Sequence, residues 1–415
     1  MKKIILLSAF VIGITLVNAQ TMELNDILDS IQQSHPSVKM YDANIRSMDA
    51  AAKGAKNWEA PEISTGLWMT PYNTNLWKEN DGNTGMGQYM ISGEQMFPNK
   101  KYNDANAAYM NEMSASVKEE KKNTLNELFA TAKKSYYEWA ILIKKLHLLD
   151  EDDRLLQMMQ SNAETRYKNG LGKISVYYKV KAALANIESQ RIMIQNDLEQ
   201  KRIALNTLMN RNSNIDFAID TASSIKDYSS LVLDTSLFYT NRSDIRSIDK
   251  NIQLTYLKEQ VEKESLKTQF GIQYAHMFGF GGLPAQFTLM GTIKIPMVKW
   301  SSRANKANVE SLQWQAVALQ DQKVMMANEY VGMANSIQNE IVAKKKEVTL
   351  FQNDIIPALK KNYQSMELGY EQNTEELFML YDAWQTLNDT EMEYFDQLQQ
   401  LMELQTELER VLEIK

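Results

Sequence analysis

The sequence has 415 residues, 44% hydrophobic and 23% charged, with 16 Gly, only 7 Pro and a formal net charge of -7, a composition that fits a folded, helix-tolerant chain and not a disordered one. The absence of Cys excludes disulfides, thiolate nucleophiles, Cys-ligated zinc and iron–sulfur clusters. His35, His147 and His276 are the only histidines and no two share a helical turn, so no catalytic site, metal site or cofactor is expected, and the acidic balance argues against nucleic acid as a partner.

The chain opens with a targeting pattern. Lys2 and Lys3 precede an apolar run from Ile4 to Val17, and Val17-Asn18-Ala19 supplies a small residue for cleavage before Gln20. The run has 14 residues, against about 20 for a membrane-spanning helix, so residues 1–19 read as a cleavable signal peptide and the mature chain as exported. Losing two lysines takes Lys+Arg from 45 to 43 against 52 acids, a net charge of -9. With no Cys after the signal, no lipid anchor is expected there. No later stretch is long and apolar enough to cross a membrane as a helix, so any crossing must be made by strands.

Residues 20–210 form the first of two similar plans. Helical patterns over 22–33 and 37–58 are interrupted at His35-Pro36, since the residue before proline is steered out of the α region. Two strand-like runs follow, 62–72 and 86–97, joined by a polar, Gly-containing loop. Pro98 closes this strand pair because it cannot donate to a ladder and suits a helix start. Residues 99–169 lack Pro and Gly and place Leu125, Leu128, Ala132, Ser135, Trp139, Leu142, Leu146 and Leu149 on one stripe. Gly170 and Gly172 break that helix. A second helix, 174–210, carries Ile187, Ile194, Leu198, Leu205 and Leu208 on one face, which makes an antiparallel helical hairpin.

After a mixed connector at 211–240 the plan repeats over 241–415. A helix runs to about 266, strands are predicted at 268–280 and 285–295 around a Gly-rich turn, and Pro296 stands where Pro98 stood. A long helix over 299–368 is broken at Gly369, and the last helix, 374–413, has Leu380, Leu387, Tyr394, Leu401 and Leu408 each seven apart. The offset between copies is 198 residues at the prolines and 199 at the glycines, the mark of a structural duplication. Two shorter helices stacked beside each long one would build a rod about 100 Å tall.

The strands carry a further signal. Phe287, Leu289, Gly291, Ile293 and Ile295 alternate with Gln286, Thr288, Met290, Thr292 and Lys294, and Phe270, Ile272, Tyr274, His276, Phe278 and Phe280 share one side of the preceding strand. Apolar-out, polar-in alternation over runs of this length fits a membrane barrel with an aqueous interior, because a tilted strand needs about 9–11 residues to span a bilayer. Four strands cannot close a barrel, and an open edge facing lipid costs several kcal/mol per unpaired group. The chain must therefore oligomerise if it spans; a trimer would give twelve strands, wide enough for a pore.

These features resemble the TolC-like outer-membrane efflux protein family. The resemblance rests on Arg166-Tyr167-Lys168-Asn169-Gly170-Leu171 followed by Ala182-Ala183, on Leu368-Gly369 with Asp382-Ala383 in the second copy, on the helix start Arg242-Ser243-Asp244-Ile245, and on the junctions Phe97-Pro98 and Ile295-Pro296. It implies a mainly α protein with a membrane β-barrel: a homotrimeric channel-tunnel in the outer membrane of a Gram-negative bacterium. Four strands per chain would join a 12-stranded barrel set in outer-membrane lipid, and the duplicated hairpins a periplasmic α-barrel, with 211–240 as an equatorial connector. It further implies a passive, gated export duct whose helical tips dock a periplasmic adaptor and an inner-membrane pump of RND or ABC type, in a tripartite efflux or type I secretion system. Gly170, Leu171, Gly369, Tyr370 and Asp382 are the tip and gate residues it points to, and Pro98 and Pro296 the strand–helix junctions. The acidic residue often found six positions after the first turn glycine is Val176 here, and Met366 and Glu371 stand where the family places a charged lock.

The cargo stays open between heavy metals, drugs, amphiphiles and polypeptides. Met69, Met86, Met90, Met96, Met277, Met290 and Met297 lie in or beside the strands, and thioethers are soft ligands for Cu(I) or Ag(I), although methionine is equally a packing residue. Two other classes compete: a periplasmic adaptor, which also carries an export signal and a helical hairpin, and a structural coiled coil. Neither needs two spanning-length strand pairs.

Overall fold

The computed structural model describes residues 21–415 except 81, 223, 224 and 229; the predicted signal peptide lies outside the described residues. In chain order the elements are β1 (Thr21–Met22), α1 (Leu24–Ser34), α2 (Pro36–Ala52), β2 (Glu62–Trp68), β3 (Gln88–Phe97), α3 (Lys100–Lys168), α4 (Ile174–Leu208), β4 (Ala218–Ile219), α5 (Thr235–Asn241), α6 (Ser243–Ser265), β5 (Gln269–Gly279), β6 (Gln286–Lys294), α7 (Lys299–Leu350), α8 (Ile356–Glu371) and α9 (Leu377–Leu412). A π-helical turn, Phe351–Ile355, links α7 to α8. No described helix is long and apolar enough to cross a membrane. A helix, a strand pair and two long helical runs follow one another in each half.

Several boundaries differ from the sequence reading. The helix expected to reach residue 58 stops at Ala52, ahead of an extended run into Pro61. The strand expected to reach residue 72 stops at Trp68, because Met69 is left-handed (φ 48°) and Pro71 follows. The connector is not wholly irregular: its end forms α5, and β4 pairs in parallel with β1, Thr21 opposite Ala218 and Met22 opposite Ile219. Gly369 does not end its helix, since α8 continues to Glu371.

The chain divides into two units. One comprises residues up to Val38, Thr124–Leu233 and Gly332–Lys415; the other Lys39–Asn123 and Asp234–Val331. In the first, α1 presents Ile27, Leu28 and Ile31 to Ala132, Tyr136, Trp139 and Ala140 of α3 and to Leu205 of α4. Phe217 meets Trp139 edge-on at 5.0 Å, and the Tyr136 hydroxyl donates to the Asp220 carbonyl at 2.6 Å. The connector is thereby pinned to the bundle. A second core joins both hairpins, packing Leu149, Leu156 and Met159 of α3 and Val180, Ala183 and Ile187 of α4 against Leu377, Leu380, Tyr381 and Trp384 of α9.

The other unit holds an antiparallel sheet of order β2-β3-β5-β6. Its rows alternate between faces. One row is Thr65, Ile91, His276, Phe287; the next is Ser64, Ser92, Ala275, Thr288. The loop between β2 and β3 folds onto the β5–β6 turn, with Trp77 stacked on Phe280 at 5.4 Å and Gly85 N–H donating to Gly281 O at 2.7 Å. A Cβ on Gly281 would lie 2.6 Å from the Trp77 carbonyl oxygen, so only glycine permits this approach.

Candidate functional site: the reversed sheet and the hairpin tips

In a water-soluble sheet the apolar face is covered and the polar face wet. Here the order is reversed. The exposed face carries Ile63, Leu67, Phe270, Ile272, Tyr274, Phe287, Leu289 and Ile293, with Phe287 70% and Leu289 66% accessible. Across the sheet Gln88, Ser92 and Ala275 are buried, and Gln88 Nε2 donates to Gln286 Oε1 at 3.0 Å. Met90, Met96, Met277 and Met290 share that polar face by register. The sheet has two open edges, β2 and β6.

Pro98 directly follows β3 and Pro296 follows β6 after one residue, Ile295, each ahead of a long helix, α3 or α7. The Pro296 carbonyl accepts from the Ser301 hydroxyl at 2.7 Å, and the Asn99 side chain accepts from the Lys101 N–H at 2.9 Å, each closing a helix entry. The Arg242-Asp244 motif is a buried structural cluster: Arg242 is 1% exposed, donates to Asp244 at 2.5 Å and stacks on Tyr330 at 3.8 Å. Burial alone would raise the Asp244 carboxyl, but hydrogen bonds from Arg242 and Tyr330 outweigh it and hold the group below its usual range.

At the tip of the first hairpin, Gly170 adopts φ +70°. Leu171 N–H donates to Arg166 O at 2.8 Å and Gly170 N–H to Tyr167 O at 3.0 Å, a Schellman closure of α3. At the second tip the same pattern is offset. Asn373 is the left-handed residue (φ 58°), and Thr374 N–H donates to Gly369 O at 2.9 Å. The counterpart of Gly170 is therefore Asn373, and Gly369 corresponds to Arg166. Glycine is needed at 369 for space: a Cβ there would lie 2.6 Å from Glu375 Cγ.

The two tips meet. The Arg166 guanidinium lies 5.1 Å from the Tyr370 ring centre, and Lys179 lies over Phe378 and Tyr381 at 4.3 and 4.4 Å. Between the turns is a cleft of about 470 Å³ lined by Arg166, Gly170, Lys173, Val176, Glu376 and Phe378 among others. Leu171 is 69% exposed, and Leu368, Phe378 and Met379 are exposed as well. Asp382 points away from the hairpin core and is exposed. Thus Gly170 and Leu171 line the cleft, Tyr370 stands beside it against Arg166, and exposed Asp382 lies one turn along α9 from Phe378.

Sequence reasoning missed the buried polar side chains of the bundle. Glu409 on α9 is held by Lys133, by Lys226 Nζ at 2.6 Å and by the Tyr228 hydroxyl at 2.5 Å. Burial works to raise its carboxyl, yet these three bonds together keep it below the ordinary glutamate value. Asp152 on α3, also buried, accepts hydrogen bonds from Trp384 and Asn388 among the described residues. Among the described residues, no group of three or more His, Cys, Asp or Glu is arranged to hold a metal ion.

A four-stranded sheet with its apolar face outward, in a chain of long helical hairpins, defines the class of fold: strands patterned as in a membrane barrel, with a helical extension. Residues 27–211 match the family described as outer membrane efflux protein. The fold agrees with solved outer-membrane proteins at low identity. The outer-membrane channel OprN matches with 12% identity over 94% of this chain and 89% of that one, TM-score 0.74. The outer membrane protein VceC of Vibrio cholerae matches with 14% identity over 94% and 95%, TM-score 0.70. The CmeC channel of Campylobacter jejuni matches with 10% identity over 94% and 85%, TM-score 0.73. No curated protein matches the sequence. Over its first repeat the chain is thus similar to the outer membrane efflux protein family, and over nearly its whole length it shares the fold of these outer-membrane proteins.

Proposed function

We propose that this chain is the outer-membrane duct of a tripartite efflux or type I secretion system, acting as a passive exit and not as an enzyme. The observation that carries the reading is the reversed sheet. A strand pair per repeat with its apolar side chains in solvent is stable only in hydrocarbon, and the open β2 and β6 edges are tolerated there only when paired. Pairing β2 of one copy with β6 of the next closes a ring. Three copies give the twelve strands an aqueous pore needs, whereas two give a barrel filled by its own side chains. The adaptor reading is not favoured, because an adaptor needs no lipid-facing strands.

The tips support a docking role. Exposed Leu171 and Phe378 line a cleft with both charges present, and Leu368 of α8 and Met379 of α9 are exposed as well, which fits the apolar and charged make-up of a protein interface. The fitting partner is a periplasmic adaptor hairpin, itself joined to an inner-membrane pump.

The Cys-free sequence makes a direct test simple. Single cysteines at Gly66 in β2 and at successive β6 positions from Gln286 to Lys294 are expected, at one register, to give a disulfide-linked trimer ladder in intact cells. Monomers at every register would overturn the reading.

A further inference from the structure

Asp152 lies in the core shared by the two hairpins and is 4% exposed. Trp384 Nε1 donates to its Oδ1 at 2.6 Å and Asn388 Nδ2 to its Oδ2. Among the described residues no lysine or arginine reaches the carboxylate. The surroundings are Leu149 and Leu156 of α3 and Leu380 and Tyr381 of α9, all buried. A buried carboxylate with two neutral donors and no cation is costly when ionised. When protonated it bonds both partners without that cost, since the Asn388 amide can turn its oxygen toward the new O–H.

We propose that Asp152, Trp384 and Asn388 form a protonation-controlled tie between the first and second hairpins, tight when the carboxyl is neutral and loosened when it ionises. The tie lies about five helical turns from Gly170 along α3, on the route by which movement at the tip would pass into the bundle. Its consequence for gating rests on the duct reading; the tie itself does not.

The neighbouring charges reinforce the direction. Burial, with smaller pushes from Glu391 of α9 and Glu151 of α3, takes the Asp152 carboxyl up to about 6 against the lowering bonds from Trp384 and Asn388. Glu391 is engaged by Lys360 of α8 at 2.8 Å. Also on α8, Tyr363 is raised to about 12 by burial and by Glu367 and Asp152, so it stays neutral. On α4, Arg191 is held by Asp150 at 2.5 Å and Glu188 at 3.2 Å. Because the packed form binds the proton more tightly than an exposed aspartate at 3.8, the tie is strongest below 3.8, weakens through the interval up to about 6, and is loose above it. From pH 7 to pH 5 the closed form gains about tenfold in equilibrium constant.

The test is hydrogen–deuterium exchange on the full-length oligomer in detergent, corrected for intrinsic rates and followed over residues 149–156 and 377–390. Wild type is expected to be about tenfold better protected at pH 5 than at pH 7. Asp152→Asn, a neutral isostere, is expected to show equal protection at both, matching wild type at pH 5. His147→Gln, at an exposed position on the same helix, should keep the wild-type dependence. A pH-independent wild type, or Asp152→Asn retaining the dependence, would overturn the proposal. Should that variant not fold, infrared spectra of wild type decide: a protonated carboxyl band titrating near pH 6 supports the tie, and none above pH 5 refutes it. A chain that fails to conduct yet shows this exchange pattern would sink the duct reading and leave the tie standing.

Discussion

Glu409 and Asp152 are both buried in the same helical unit, and their proton affinities move in opposite directions. Glu409 has Lys133, itself 4% exposed, together with Lys226 and Tyr228; Asp152 has only an indole and an amide. Burial raises both carboxyls to begin with, so depth does not distinguish them. The presence of a cation does. Near the connector, the ionised form of Glu409 is built into the packing and fastens residues 226–228 to α9. Along the hairpins the neutral form is preferred, and the join can respond to acidity.

The sharpest way to break this contrast is Glu409→Gln. It leaves Lys133 charged in the core and is expected to cost about 3–5 kcal/mol in denaturant or thermal unfolding. The loss has a pH signature. Because the Glu409 carboxyl is depressed, its contribution is present above the ordinary value of 4.5 and disappears as pH falls through the lower native value. Glu409→Gln should therefore flatten the acid limb of the stability profile. A smaller effect is expected from Trp384→Phe, which removes one of the two donors to Asp152. The cost is about 0.5–1.5 kcal/mol at pH 5, where the tie is closed around a neutral carboxyl, and it shrinks at pH 7, where the tie is loose. Equal cost at pH 5 and pH 7 would show that Asp152 does not ionise in place.

Much of the architecture is legible in the sequence because it is periodic. The strand alternation over 286–294 and the heptads of α9 recur without interruption, and the tertiary structure keeps both. Leu401 and Leu408 are fully buried as the seven-residue spacing requires. The tips were legible in the first repeat, where a glycine takes the left-handed position. In the second repeat Gly369 drew the reading to the wrong residue, since Asn373 supplies the left-handed turn and glycine is kept at 369 for clearance. Asp152 was hidden within Glu151-Asp152-Asp153, a run that looks like a solvated helix face. Only packing against α9 singles out the middle residue. The β1–β4 pair joins segments nearly 200 residues apart through two residues each, too short to leave a pattern.

The reversed sheet acts as a membrane surface only when its edges close with other copies into a ring. The direct measurement is conductance of the purified, unboiled protein in planar bilayers, with its heat-sensitive mobility read on the same sample. A detergent-extracted trimer that gives discrete channel openings, and loses both oligomer and conductance on boiling, is the predicted result. A monomer that stays soluble without detergent and leaves the bilayer silent would contradict it.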